Sequence, residues 1–222
     1  MNEQQCHDMN EPLHVAEVFR SVQGEGALVG TSAVFVRLAG CNMSCPWCDT
    51  DHSQTMLLTP AQLAQLVAKT SEKPRRVIWT GGEPMMQAHG LTLTAILLKE
   101  QGYEFHAIET NGSIAVPDTL RHVVDPWLTV SPKSKQVQVT ECDELKVLVG
   151  NDLTFSPGDF AHVHARHRFV QPLWVADRCP VGEEDVPRER GMNVSLEQCI
   201  AWLLSNPQWR LSVQMHKLIG VR

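Results

Sequence analysis

From about residue 14 the chain alternates short apolar runs with longer stretches of helical period. Val34–Leu38, Val77–Trp79, His106–Glu109, Leu128–Val130, Leu145–Val149, Phe169–Val170 and Leu211–Val213 read as strands. Several are apolar almost throughout, the pattern of strands covered on both faces. Between them lie helices. Thr59 is a good N-cap, Pro60 suits a first helical position, and Leu63, Leu66 and Val67 then share one face. Leu93, Ile96 and Leu97 repeat that pattern, and a third helix, capped by Ser195, is expected to bury Ile200, Leu203 and Leu204 before Pro207.

Strands alternating with helices imply right-handed βαβ units and a parallel sheet. At 222 residues the chain is short for a closed eight-fold barrel, and the helices are too few. The expected fold is therefore α/β, an incomplete (β/α) barrel with a mostly parallel open sheet. Residues 1–13 are expected to form a mobile N-terminal tail and residues 14–222 a single domain. No internal repeat or low-complexity segment interrupts it.

Composition narrows the function classes. The formal charge of −6 argues against a broad basic surface, so direct nucleic-acid binding is not expected. The polar start MNEQQCHDMNEP lacks the apolar core of a signal peptide, and no run approaches 18 apolar residues. With 7 cysteines, an odd number, and no secretion signal, a disulfide framework is not expected. The chain reads as cytoplasmic, with no membrane partner.

In open α/β sheets chemistry gathers at the carboxyl ends of the strands. Here five of the expected strands end in a polar motif. The cysteine run CNMSCPWCD follows Val34–Leu38, and Thr80-Gly-Gly-Glu-Pro84 follows the second strand. Glu109-Thr-Asn-Gly112, Ser131-Pro-Lys133 and Gln171-Pro172 follow the next ones. The two glycines of the second motif let the backbone approach a ligand closely, although a plain turn would use them equally well.

Cys41, Cys45 and Cys48 stand in a C-x3-C-x2-C spacing. A cubane iron–sulfur cluster is normally held by four thiolates. Three leave one iron open, and the amino and carboxylate groups of S-adenosylmethionine can fill such a position. The competing reading is zinc, with His52 as fourth ligand.

Together, C-x3-C-x2-C and the TGGEP strand end resemble the radical S-adenosylmethionine superfamily. Val22-Gln-Gly-Glu-Gly26, Arg37, Ser131-Pro-Lys133 and the stretch Trp209–Lys217 add a closer likeness to its 7-carboxy-7-deazaguanine synthase family, over nearly the whole chain. The resemblance implies a carbon–nitrogen lyase that converts 6-carboxy-5,6,7,8-tetrahydropterin to 7-carboxy-7-deazaguanine, a queuosine precursor, with loss of ammonia. It implies a [4Fe–4S] cluster, regenerated S-adenosylmethionine and Mg2+ as cofactors, a flavodoxin-like reductant and a homodimer.

It also implies roles. Cys41, Cys45 and Cys48 hold the cluster, and Thr50 the magnesium. Trp47, Cys48, Asp49, Gly82, Ser131, Pro132, Lys133, Gln171, Pro172, Leu173 and Trp174 border S-adenosylmethionine. Val22, Gln23, Gly24, Glu25, Arg37, Thr80, His216 and Arg222 face the substrate, with Arg37 suited to a bidentate pair with its carboxylate. The short segment from Asp51 to Thr59 is the expected docking surface for the reductant.

Other features are not promoted. His162, His164 and His167 read as a surface segment, Cys142 and Cys179 as isolated, and Cys199 as core packing. Cys6 falls in the expected tail, and Glu183–Asp185 in a solvated loop. Two rivals remain, a glycyl-radical-enzyme activase and a non-catalytic zinc-binding protein.

Overall fold

The computed structural model describes residues 11–71, 73, 75–151, 153–174 and 190–221, with 190–194 described for the backbone alone. Residues 1–10, Cys179, the run Glu183–Asp185 and Arg222 lie outside the described residues.

One sheet runs through the molecule. Its strands are β1 (Leu13–Val22), β2 (Ser32–Leu38), β3 (Met56–Leu58), β4 (Arg76–Gly81), β5 (Phe105–Thr110), β6 (Trp127–Val130), β7 (Glu141–Val149), β8 (His164–Pro172) and β9 (Arg210–Leu211). The order across the sheet is β3-β1-β2-β4-β5-β6-β7-β8-β9. From β2 to β9 every pairing is parallel, while β1 pairs antiparallel with both β2 and β3. The sheet is open and mostly parallel, as the alternation of strands and helices predicts.

Two strands are not legible as runs. A bulge between Val15 and Glu17 shifts the register of β1 against β2, which breaks its period of two. Strand β3 has three residues, too few to show any period. At the far edge β9 comprises Arg210–Leu211 instead of the expected Leu211–Val213.

The helices are α1 (Pro60–Thr70), α2 (Ala88–Glu100), α3 (Arg190–Ser205) and the one-turn α4 (Met215–Leu218). Thr59 caps α1 with a full capping box: its hydroxyl accepts from the Gln62 N–H, and the Gln62 side chain accepts from the Thr59 N–H. Leu63, Ala64 and Val67 form its buried face.

The other two faces differ from expectation. Helix α2 buries Leu91, Ala95 and Leu98 with Thr92 and Thr94, while Leu93, Ile96 and Leu97 are half-buried. Both threonine hydroxyls donate to the carbonyl four residues back, at 2.7 and 2.8 Å, so polar residues sit in the buried stripe without loss. Helix α3 begins at Arg190, so Ser195 lies inside it and is no cap. It buries Ser195 and Cys199 and half-buries Leu203, but Ile200 is 45% and Leu204 82% exposed. Ser195 and Cys199 are buried on the inward side, Trp202 and Leu203 pack against the core, and Ile200 and Leu204 face outward.

The main core lies between the helices and the sheet, with Trp79, Phe160, Leu38, Leu63, Leu91 and Ile108 fully buried. Each such side chain contributes roughly 1.5–3 kcal/mol relative to exposure. No helix among the described residues is long and apolar enough to cross a membrane.

Candidate active site

The carboxyl ends of the parallel strands open into a cavity of about 670 Å³. That size suits one or two small molecules. Its walls include Cys41, Cys45, Trp47, Cys48, Asp49 and Thr50 from the loop after β2, and Thr80, Gly81 and Gly82 from the end of β4. Ser131, Lys133, Gln171, Leu173 and Trp174 add further walls, as do Val22, Gln23, Gly24, Glu25, Arg37 and His216. The expected cluster, cofactor and substrate positions thus meet in one place. Pro132 and Pro172 are buried behind it without lining it.

The cysteine loop is clamped from two sides. Gly82 and Glu83 donate their N–H groups to the carbonyls of Leu38 and Gly40, at 3.3 and 3.0 Å. A Cβ on Gly81 would stand 2.2 Å from the Leu38 carbonyl oxygen, and one on Gly82 2.1 Å from that of Gly40. The glycines let two backbones touch, a tighter requirement than ligand access. Glu83, fully buried, accepts from Thr110 Oγ1 (2.7 Å), the Asn111 N–H (2.7 Å) and the Met85 N–H (2.9 Å). Burial pushes its carboxyl above the ordinary range against those bonds. The Asn111 side chain donates to Asn42 Oδ1 at 3.0 Å, tying the end of β5 to the cysteine loop.

Cys41, Cys45 and Cys48 on this loop are free of disulfides and line the cavity, a candidate all-thiol donor set. No three His, Cys, Asp or Glu side chains among the described residues converge as ligands to a single metal ion. A zinc site would need four donors within about 2.3 Å of one centre, whereas a cubane distributes its thiolates over separate irons. Burial pushes the Cys45 thiol up, and nearby Lys133 opposes it. The buried indole N–H of Trp47 in the cavity wall has no partner among the protein atoms. An all-thiol donor set, a nearby cation and an unpartnered donor fit a cluster with a polar cofactor beside it.

Lys133 is half-buried and donates to the Ser131 carbonyl (3.0 Å) and Oγ (2.8 Å). Burial, and then the neighbouring Lys146, push its ammonium below the usual lysine value, while Glu25, Cys45 and Asp49 pull it up. For Asp49, burial would raise the carboxyl, but an ion pair with Lys217 outweighs it and holds the group low. The Lys217 ammonium also lies 5.0 Å from the Trp174 ring centre.

On the other side, strand register aligns the polar residues. Glu17 faces Arg37 across β1 and β2, and Arg37 faces Thr80 across β2 and β4. The Arg37 Nε donates to Glu17 Oε1 at 2.8 Å, which fixes the guanidinium with its terminal nitrogens still to be directed. Gln23 is buried; its amide donates to Glu109 at 2.8 Å and its Oε1 accepts from the Glu25 N–H at 3.1 Å. Glu17, Glu109, Lys146, Gln214 and Lys217 also line the cavity; the sequence marks Glu109 only as part of a strand-end motif and Gln214 and Lys217 only as part of the Trp209–Lys217 stretch, and gives Glu17 and Lys146 no role. One signal was available: Lys146 puts a charge into the otherwise apolar run Leu145–Val149.

Elsewhere, His162 and His164 are exposed and His167 stacks on Trp127 at 5.5 Å. Burial pushes the Cys142 and Cys199 thiols up to about 12, as inert packing residues.

A sequence profile of the Radical SAM superfamily matches residues 36–134, from the strand before the cysteine loop to the Ser131-Pro-Lys133 turn. The 7-carboxy-7-deazaguanine synthase of Synechocystis sp. is 36% identical over 214 residues, covering 94% of this chain and 93% of its own. That of Bordetella pertussis is 35% identical over 227 residues, covering 93% and 98%. The crystal structure of QueE from Escherichia coli superposes with a TM-score of 0.69 at 24% identity, over 97% of this chain and 99% of the other, which shows a shared fold.

Proposed function

Since the chain belongs to the 7-carboxy-7-deazaguanine synthase family of the Radical SAM superfamily, we propose that it makes 7-carboxy-7-deazaguanine from 6-carboxy-5,6,7,8-tetrahydropterin with release of ammonia, a queuosine-precursor step. It is a lyase that works with a [4Fe–4S] cluster and S-adenosylmethionine. The observation that carries the substrate is the shared cavity. It joins the cysteine loop to a polar wall built from Gln23, Glu25, Arg37 and Thr80. That wall suits a flat heterocycle bearing a carboxylate.

When bound on Cys41, Cys45 and Cys48, the cluster and S-adenosylmethionine supply a one-electron cleavage and a carbon radical that takes a substrate hydrogen, the cofactor being regenerated. The protein's own work is placement. Lys133 offers a cation to a carboxylate or hydroxyl of the cofactor, and Trp47, Gly82 and Gln171–Trp174 enclose it. Arg37, braced by Glu17, meets the substrate carboxylate in a bidentate pair. Gln23 and Glu25 take the opposite edge, with Val22, Gly24, Thr80 and His216 completing the pocket; Arg222, outside the described residues, is assigned to the substrate on the family resemblance alone.

Magnesium belongs at Thr50, whose hydroxyl donates to Asp49 Oδ1 at 3.3 Å. One hydroxyl is a weak site alone, and a substrate carboxylate supplies the anionic oxygen that Mg2+ needs. The surface position of Cys48 and Asp51 leaves room for a flavodoxin-like donor to approach the cluster. The outward Ile200 and Leu204 of α3 offer apolar area to a second copy, in keeping with a homodimer. The setting is cytoplasmic. A pocket of this size with buried ion pairs supports a small-molecule substrate over the backbone of a partner protein, and the activase reading ranks second.

Protein reconstituted anaerobically with iron and sulfide, given S-adenosylmethionine, magnesium, a reductant and the pterin, is expected to yield 7-carboxy-7-deazaguanine by mass spectrometry. C41S, C45S and C48S should each lose the cluster's visible absorption and all product, while C142S keeps both. Release of 5′-deoxyadenosine without a deazapurine would overturn the substrate and raise the activase reading.

A further inference from the structure

The buried charges of β7 have no part in the placement described so far. Glu144 and Lys146 alternate along the strand, so both project from the same face of the sheet, beneath Val22–Gly26. Glu144 is 2% exposed, and its carboxylate accepts from the Ala27 N–H at 2.8 Å. A Cβ on Gly26 would meet a Glu144 oxygen at 2.0 Å, so the chain lies directly on this carboxylate. Two positions along, the Lys146 ammonium bonds Glu25 Oε2, with side-chain exposures of 5% for the lysine and 14% for the glutamate. The other Glu25 oxygen accepts from the Gln214 amide at 2.8 Å. Both oxygens of Glu25 are therefore oriented, one from the sheet and one from the C-terminal segment.

We propose that Lys146 is a positioning residue for substrate recognition: it fixes Glu25 as an oriented, ionised acceptor, so that the pocket selects the donor edge of a heterocycle, a ring N–H beside an exocyclic amino group. This rests on the proposed function, in which Glu25 faces the substrate. An ionised carboxylate only accepts, whereas a protonated one also donates. A heterocycle presenting an acceptor at that edge would meet a second acceptor and be rejected. An unpaired carboxyl at this depth would gain a proton and lose that discrimination.

The surrounding charges agree. Burial alone would raise Glu25, but Lys146 outweighs it, helped by Gln214 and His216, and holds the carboxyl well below the ordinary range. Burial opposes the Lys146 charge, but Glu25, Glu109 and Glu144 more than restore it and push the ammonium up. Lys133 after β6 and Asp49 of the cysteine loop complete the set of charges facing this pair. With Lys146 neutral, burial dominates at Glu25 and its pKa rises toward the working pH.

The test uses reconstituted holoenzyme and compares wild type with K146M, K146R and the double variant E25Q/K146M. K146M is expected to raise KM for the pterin at least 10-fold at pH 7 with a smaller change in kcat. Its KM should worsen further as pH falls from 8 to 6, while the Glu25 contribution in wild type stays flat across that range. K146R should recover most of the KM. The double variant removes both charges, so it folds even if K146M does not. It should bind the pterin weakly at every pH, with no slope in its KM. S-adenosylmethionine affinity, read by equilibrium binding, should change less than 3-fold in all variants. An unchanged KM in folded K146M, or a KM slope that persists in the double variant, would overturn the role of Lys146 alone. A wild-type enzyme that makes no deazapurine would instead overturn the proposed substrate and this inference with it.

Discussion

At the scale of single residues, the buried polar groups are sorted by whether they keep a partner. His106 is nearly inaccessible in β5; its Nδ1 accepts from the Trp79 indole N–H at 3.0 Å and its Nε2 donates to the Tyr103 carbonyl at 2.9 Å. Both bonds suit the neutral ring. Burial lowers its pKa to about 4, against the Tyr103 bond and with some help from Lys99. The unfolded histidine, near 6.5, therefore binds its proton first. The stability that the neutral ring contributes is present above pH 6.5 and is lost as pH falls from there toward 4, by on the order of 3 kcal/mol. Urea midpoints measured across pH 4–7 should show that slope in wild type and a flatter one in H106Q. An equal slope in both would assign the acid sensitivity to other groups. Glu83 carries a different load. E83A leaves the Asn111 and Met85 N–H groups and the Thr110 hydroxyl without their acceptor, and should cost about 1–3 kcal/mol or more. Thermal unfolding gives that number directly.

At the scale of elements, the strand ends do the organising. Where a residue's place follows from chemistry at a strand end, the sequence shows it: the three cysteines, the glycine pair, Ser131, Lys133 and Gln171 all line the cavity. Where the role depends on register, the sequence is silent. Glu17 meets Arg37 only because β1 runs antiparallel beside β2 past a bulge, and neither the bulge nor the pairing is written in any local pattern. Helix faces fail for a related reason. Thr92 and Thr94 are buried by bonding their own helix, and Ile200 and Leu204 stay exposed while Ser195 and Cys199 are buried on the inward side. The glycine pair makes a prediction at this scale. G82A drives a Cβ against the Gly40 carbonyl, so β4 and the cysteine loop must part. A loss of about 1–3 kcal/mol is expected, seen as a melting point lower by several degrees, together with weaker cluster retention on gel filtration. Normal cluster retention in G82A would mean that the loop holds its shape without β4.

At the scale of the whole molecule, the site is closed by segments from the far ends of the sequence. Gln214 reaches Glu25, Lys217 reaches Asp49, and the Met215 N–H donates to the Gly24 carbonyl at 2.9 Å. Gly24 itself has no room for a Cβ, because the His216 ring would stand 2.1 Å away. None of these contacts holds the sheet together. Removal of residues 214–222 should leave far-UV circular dichroism within about a tenth of wild type while abolishing product formation. A truncated chain that still turned over would show that the C-terminal segment is a bystander.

The strand order carries a further consequence, one of timing. From β4 to β9 each new strand is added to the edge left by the one before it, in the order in which the ribosome delivers the chain, while β3 joins the opposite edge beside β1. The sheet can grow during synthesis without waiting for distant partners. The wall formed by Gln214, His216 and Lys217 is made last, so the newborn protein passes through a stage with an assembled sheet and an open cleft. That interval leaves the three cysteines open to a bulky iron–sulfur group before Gln214, His216 and Lys217 close the cavity wall.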